Sequence, residues 1–495
     1  MNIAARLMTV LVVAASSACG AAPPTTPPAV VSLARASQDD SLSELAAGLA
    51  LEAGHWLVNR DDVVVRMVND PSAYTNASFA EVNDRLAIDL VVRLDVRGTT
   101  AEPVVSYVLE TSGGEARPAK VLARNSDGLS AIPRRIAEDV LSSLKLRTTG
   151  AEWPAWSMPD APAYDAYVRA LGRAHTKAKT DAERVALFEK APAAIETYPP
   201  AVTELGGAYL DLAGRSSGTA PYYDRSEEIL RRAVQLDTLY PPARQKLASY
   251  FAKRGRSEES LGLLQKGLVT HARFPGNHDQ LGYILRYAGL MEASMESYRR
   301  AQELDGSLEN LVETQDQITK SLIYLGRYRE ALASHARMES FLARLGRTPD
   351  EKEWFYRGVI HLYAGDREQA LDAFQRGEAL DSASVWTTFG RAYAGIARGD
   401  RDVVAKVLDA LEQHVVVDGE RHYRLVHFAS FLGQSERALR HLETSIRGGF
   451  FNAPPIASDP LTAGLRSDPG FAARLGEAQK RHASFKAAAN NGISD

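Results

Sequence analysis

From residue 160 to residue 450 the apolar positions fall at steps of three and four, in paired blocks separated by glycine turns. The stretch GDREQALDAFQRGEALD, Gly365 to Asp381, shows one block: a turn, a charged helix start, then Ala370, Leu371, Phe374 and Leu380 along one side. That is the period of an amphipathic helix. Glycines with like surroundings stand at Gly255, Gly289, Gly326, Gly365, Gly399 and Gly433, at intervals of 34, 37, 39, 34 and 34 residues. Such a period is the length of one helix–turn–helix unit. Glycine suits the end of the first helix, where the backbone turns left-handed. A lone hairpin cannot bury its apolar face, so neighbours must stack into a solenoid with a concave inner side. The pattern predicts about eight stacked hairpins over 160–450. Helices over 456–489 follow as a cap, with Phe471, Leu475 and Phe485 inward, Arg474, Glu477, Lys480 and Arg481 outward, and disorder after Ala489.

The chain before the array follows another rhythm. LSELAAGLALEAGHWL has helical spacing, and DVVVRMV (Asp62 to Val68) reads as a strand. SFAEVNDRLAI predicts a short helix with Ser78 as its N-cap. LVVRLDVRG (Leu90 to Gly98) and VVSYVLET (Val104 to Thr111) alternate apolar and polar, the mark of strands with one wet face. SGGEARP (Ser112 to Pro118) reads as a hairpin turn before a third strand in KVLARNS, and GLSAIPRRIAEDVLSSL closes the unit as a helix with Pro133 near its first turn. The expected order is α-β-α-β-β-β-α, a small α/β domain over 42–147. Residues 20–41, rich in Pro, Ala, Thr and Ser, read as a tether.

The glycine-bounded units resemble the tetratricopeptide repeat. With each turn glycine numbered fifteenth, Trp354, Gly358, Ala370 and Phe374 fall on the family's tryptophan, small glycine, alanine and aromatic. Leu281, Gly282, Tyr298, Ala301, Leu304, Ala331, Leu425 and Ala438 match in other units. The units at Leu205 to Tyr209 and from Ala161 match more loosely. The resemblance implies a mainly α chain, a tetratricopeptide-type helical-hairpin solenoid preceded by a small α/β domain. The 42–147 segment is similar to the TolB-type amino-terminal domain that precedes such arrays in bacterial signalling proteins. It carries LAI (Leu86 to Ile88) where that family usually has LGV. Those relatives join the array to a cyclase, a kinase or a winged-helix module; here a signal-like segment stands in that place.

Composition narrows function. The 495 residues are 45% hydrophobic and 24% charged, and 58 basic against 62 acidic residues leave a net charge of −4. No basic field argues for nucleic acid. Arg6 followed by Leu7 to Ala15 has the form of a signal peptide, so residues 1–19 read as a targeting segment. SSAC ends on Cys19, the one cysteine. The stretch is similar to a lipobox, which implies a lipidated Cys19 and anchorage to the cell envelope from the periplasm. Plain secretion and a retained N-terminus stay open. The mature chain can form no internal disulfide.

The sequence holds no phosphate-binding Gly-x-x-x-x-Gly-Lys-Ser/Thr, no Gly-x-Ser-x-Gly and no His-Glu-x-x-His. His414, His422, His427 and His441 cluster late without a zinc spacing, so no catalytic residue, metal or cofactor is expected. Tetratricopeptide positions two, five, nine, twelve and thirteen commonly face the groove. Position thirteen gives Lys253, Tyr287, Tyr324, Tyr363 and Phe431. Four aromatics there could form a rail for a peptide or could pack on the next helix; Tyr283, Arg286, Lys320 and His427 are further groove candidates. The lysine-and-asparagine clamp for chaperone tails is absent. The sequence therefore predicts an exported scaffold that holds a protein or peptide in its concave groove, touches membrane only through a lipid anchor, and binds no nucleic acid. An extracytoplasmic sensor or regulatory component of a signalling system is the alternative, and an enzyme with an unrecognised site in the 42–147 domain is the third reading.

Overall fold

The structure is a computed structural model of the chain that describes residues 27–35, 37, 39–111, 120–122, 128–146, 153–215, 220–413 and 418–491. Cys19 with the 1–19 segment, the Ser112–Pro118 turn and His414 lie outside the described residues. The first domain holds strands β1 (Ala29–Ala34), β2 (Val64–Arg66), β3 (Leu90–Gly98), β4 (Pro103–Thr111) and β5 (Lys120–Leu122). Its helices are α1 (Asp40–Leu57), α2 (Phe79–Leu86) and α3 (Ala131–Ser143). The sheet order is β2-β1-β3-β4-β5; β1 runs parallel to β2 and β3, while β3, β4 and β5 are antiparallel neighbours. Ser78 caps α2 as expected, accepting from the Glu81 N–H at 3.3 Å while Glu81 accepts the Ser78 N–H at 2.7 Å.

β1 corrects the expected tether. Residues 29–34 belong to the sheet, between β2 and β3, so the domain begins before residue 42. Val30 and Ala34 join the core under α1 and α3, while Ala29, Val31 and Leu33 join the core under α2. A strand covered on both faces is a continuous apolar run without alternation. AVVSLA is such a run but for the buried Ser32, and following Pro27 and Pro28 it looks like tether.

The array starts with α4 (Ala161–Thr176), α5 (Asp181–Phe188) and the single turn-and-a-half α6 (Pro192–Thr197). Regular hairpins follow: α7 (Pro199–Arg215) with α8 (Ala220–Leu236), α9 (Pro241–Lys253) with α10 (Ser257–Thr270), and α11 (Pro275–Tyr287) with α12 (Met291–Leu304). Next come α13 (Leu308–Tyr324) with α14 (Tyr328–Arg344), α15 (Glu351–Tyr363) with α16 (Arg367–Leu380), α17 (Val385–Arg398) with α18 (Arg401–Gln413), and α19 (Gly419–Phe431) with α20 (Ser435–Arg447). A short α21 (Ala453–Ser458), a 3-10 turn at Pro460–Leu465 and α22 (Pro469–Asn491) end the fold; α22 keeps its helix past Ala489, where disorder was expected. The six turn glycines have φ of 72°, 87°, 70°, 84°, 77° and 70°, in chain order. The longer intervals around Gly326 reflect α13 and α14, each 17 residues long.

Small residues set the helix spacing inside the hairpins. A Cβ on Gly282 would lie 2.8 Å from the Tyr298 ring, and one on Gly358 2.4 Å from the Phe374 ring. The first domain is fixed to the array by the same means. A Cβ on Gly48 of α1 would meet Val168 O at 1.9 Å, and one on Gly172 of α4 would meet Glu44 O at 1.8 Å, so these helices cross in backbone contact. Farther along, Arg66 donates to Leu304 O at 3.0 Å and pairs with Asp305 at 3.2 Å. His271 Nε2 lies 3.1 Å from Asn59 O. The domain thus rests on the connections between successive hairpins.

The C-terminal end curls back onto the middle of the array. Phe471 and Phe485 are buried on α22 as expected, but two residues assigned to its free polar face are engaged. Arg474 pairs with Glu443 at 3.0 Å, and Arg481 donates to Gly255 O and to Ile446 O and pairs with Glu258 at 3.2 Å. His482 donates to Ala288 O at 2.6 Å. The helix covers the last hairpin through Glu443 and Ile446 and also straps it to the earlier turns at Gly255 and Ala288.

Candidate binding cleft on the concave face

The first helices of four consecutive hairpins, α13, α15, α17 and α19, turn one side toward the axis of the array. Their inward residues are Lys320, Ile323 and Tyr324; Tyr356, Val359 and Tyr363; Tyr393; and Glu420, Arg424 and His427. Together they line a narrow cleft whose free volume is about 20 Å³, room for little more than a water molecule. Three carboxylates organise its walls. Glu420 accepts from Arg286 at 2.9 Å, from Tyr324 at 2.7 Å and from Arg424 at 3.2 Å. Asp316 accepts from Lys320 at 2.8 Å and from Lys352 at 2.9 Å. Asp459, in the segment after the last hairpin, accepts from Tyr363 and Tyr423, each at 3.0 Å, and lies 3.0 Å from His427 Nε2.

The charges here are buried and mutually compensated. Burial opposes the ionised form of Glu420, yet Arg286, Arg424 and Lys320 hold its pKa down at about 2. Burial likewise opposes Asp316, and Lys320 and Lys352 outweigh it and keep that carboxyl well below the usual range. Lys320 moves the other way: burial lowers its pKa to about 8, Lys352 and Arg286 add to the drop, and Asp316 opposes it. Aromatic faces support the cations. The Arg424 guanidinium lies 5.0 Å from the Phe355 ring centroid, and the Lys320 ammonium 4.6 Å from that of Tyr356. At such distances the ring quadrupole attracts the cation.

Seven of the eight groove candidates meet in or beside this cluster, but not on an open trough. Arg286, Tyr287, Lys320 and His427 are buried, and Tyr283, Tyr324 and Tyr363 are partly exposed. Tyr287 donates to Asp418 at 3.0 Å and packs edge-on against Phe450. Tyr283 lies against Tyr287 with ring centroids 4.3 Å apart. The chain's own α19 and the segment after α20 occupy the place expected for a bound peptide. Phe431 stands apart at the end of α19, its carbonyl bonded to Arg401 at 2.9 Å. The numbering by repeat missed Tyr356 and Arg424, both at position six, while Glu420 at position two was reachable by it. Tyr393 sits at position nine, like Tyr283 and Lys320, and was reachable by the same rule. Asp459 lies beyond the repeats, where the rule assigns nothing. Among the described residues no group of His, Cys, Asp or Glu is placed to hold a metal ion, and no helix is long and apolar enough to cross a membrane.

Residues 277–307, the α11–α12 hairpin, match the family described as Tetratricopeptide repeat. No curated protein matches the chain. Among solved structures, the chain is similar to a thermophilic TPR protein of Thermus thermophilus, at 16% identity and a TM-score of 0.31, covering 43% of this chain and 98% of that one. A tetratricopeptide repeat protein from Parabacteroides merdae is 12% identical with a TM-score of 0.37, covering 57% and 98%. Yeast Tom70 is 12% identical with a TM-score of 0.38, covering 70% and 77%.

Proposed function

We propose that the protein is an exported interaction scaffold that holds a protein or peptide partner and does not transform it. The observation that carries this reading is the continuous stack of helical hairpins, one of which matches the tetratricopeptide repeat. Stacked hairpins expose long surfaces at little cost in chain entropy and commonly serve as binding platforms. Since the inner side around α13 to α19 is bonded to the chain itself, the partner engages the remaining surface. The N-terminal segment supports export, and the lipobox-like SSAC supports anchorage through Cys19. With β1 starting at Ala29, an anchored chain has only residues 20–28 as its tether, a reach of at most ~30 Å. That would hold the first domain close to the membrane.

Crosslinking in intact cells, followed by mass spectrometry and fractionation, tests both parts. The expected result is one recurring partner crosslinked to array residues, with the protein in the membrane fraction and a Cys19→Ala variant released from it. Crosslinks confined to the chain itself would overturn the scaffold. Retention of Cys19→Ala on membranes would overturn the anchor. A second reading, a regulatory subunit acting on an effector carried by another chain, is favoured by the fixed seat of the first domain on the array. A kinase or cyclase as the captured partner would select it.

A further inference from the structure

Three large apolar side chains that the fold leaves open to solvent stand together. Leu236 ends α8, Leu239 lies in the connection to α9, and Val269 is near the end of α10, with 39%, 54% and 80% of their surface exposed. Arg244 draws their neighbours into one patch: it donates to Thr238 O at 2.6 Å and to Thr270 Oγ1 at 2.7 Å. The carboxylates nearby are turned to the protein. Asp237 accepts from the Trp156 indole at 2.7 Å and from the Leu239 N–H at 2.8 Å, and Asp61 accepts from the Arg273 N–H at 2.8 Å. Single exposed apolar side chains are ordinary, but a group of them marks a surface that something covers. The course of the chain narrows what that is. Asp61, just before β2, meets Arg273 in the α10–α11 connection, and five residues on Arg66 meets Leu304 and Asp305 in the α12–α13 connection. β2 therefore runs away from α10 and toward α13. β1 is parallel to it, and Pro28 O accepts from the Val64 N–H at 2.9 Å. The segment before β1 thus leaves the sheet on the side of Arg273, four residues past Val269. Back to Cys19 that segment spans at most ~30 Å. A lipid on Cys19 would keep this end of the molecule, with the patch beside it, at the bilayer.

We infer that Leu236, Leu239 and Val269 form a membrane-contact surface that seats at the boundary of lipid headgroups and acyl chains. The strength of such a seat scales with the apolar area it buries. Three side chains are too few to hold the protein alone, so the surface acts together with the tether, whose short reach keeps the local concentration of bilayer high. Seated there, the array would be fixed with α8 and α10 at the membrane instead of swinging on its tether. The inference rests on the anchored reading of Cys19.

The test supplies the anchor chemically, so it holds whether or not cells attach a lipid. The full mature chain is coupled through its one thiol, Cys19, to a maleimide lipid in phosphatidylcholine vesicles and followed by hydrogen exchange. The reference is the same chain capped with a soluble maleimide and mixed with the same vesicles. On coupling, amides of 236–240 and 268–272 are expected to exchange about tenfold more slowly, at high salt as at low. Those around Leu380 on α16, exposed to a similar degree, should keep their rate. Leu239→Asn combined with Val269→Asn should abolish the slowing and leave exchange elsewhere unchanged. Leu239→Met combined with Val269→Leu, which keeps the patch apolar, should retain it. No slowing in the folded wild type, slowing that needs anionic lipid or vanishes in salt, or slowing that survives the asparagine pair would each overturn the surface. Fractionation of Cys19→Ala judges the anchor separately, so the two failures are told apart.

Discussion

Glu52 lies on α1, whose residues from Leu45 to Leu57 are all buried. Its carboxylate is completely covered and accepts from Tyr198 at 2.6 Å, Tyr167 at 2.9 Å and Tyr164 at 3.1 Å, with His55 Nδ1 at 2.9 Å. The three tyrosines come from the array, so one side chain of the first domain satisfies three hydroxyls of the second. Removing it strands all of them without a partner. Glu52→Ala should therefore lower unfolding stability by about 3–5 kcal/mol in urea titrations, the range for breaking a buried charged network; a loss under ~1 kcal/mol would show that the network is slack. The partner His55 adds a pH term. Burial alone would lower its pKa, but the bond and charge of Glu52, with Glu204, raise it above the ordinary 6.5. A histidine raised on folding contributes stability that is fully present below its unfolded pKa and is lost as pH climbs through the folded one. The stability gap between wild type and His55→Gln should thus be widest below about pH 6.5 and shrink above it. A gap that grew with pH would contradict the geometry. Sequence periodicity placed α1 correctly, yet Glu52 looked like an ordinary polar helix position, because its burial depends on helices more than a hundred residues away.

Individual elements were legible where their pattern is local. The turn glycines announce the hairpins because each needs a left-handed backbone, and β4 announces itself by alternation; β3 was found the same way, but the wet face expected of it is absent from Leu90 to Leu94, which are all buried, Arg93 included. β1 did not announce itself, because covering both faces removes the alternation. The two kinds of repeat glycine also differ in what they do, and substitution separates them. Gly365 has φ of 84° and nothing near the position of a Cβ. Gly365→Ala therefore meets only backbone strain, about 1 kcal/mol. Gly358 is helical, and its Cβ would press the Phe374 ring inside the hairpin. Gly358→Ala should cost more, about 1–3 kcal/mol of overpacking, and pairing it with Phe374→Leu should restore part of the loss. Chemical denaturation of the three variants measures this; equal losses at both glycines, with no rescue, would mean the hairpin contact is loose.

At the scale of the molecule, sequence showed a stack but not how tightly the stack would curl. Repeat numbering places each helix face against its neighbour, whereas closure arises from contacts across several hairpins. Gly255 illustrates this: a Cβ there would sit 2.2 Å from Arg447 O, on α20, so the turn of an early hairpin touches the last one. Gly289 similarly meets Asn452 and His482. These turns are glycine both for their backbone and because the returning chain leaves no room. α22 secures the arrangement through Arg481, His482 and the Phe451–Phe485 contact, ring centroids 5.7 Å apart. Because the polar cluster of the cleft needs α19 and Asp459 in place, the strap and the cleft should fail together. Deleting residues 469–495 should expand the molecule, seen as a larger radius of gyration in X-ray scattering. Protease sites around Phe450 and Asp459 should open in the same variant, while the first domain, held to α4 by Gly48, Gly172 and Glu52, keeps its protection. A deletion variant with unchanged scattering and an intact cluster would mean that the curl is a property of the hairpins themselves and that α22 only follows it.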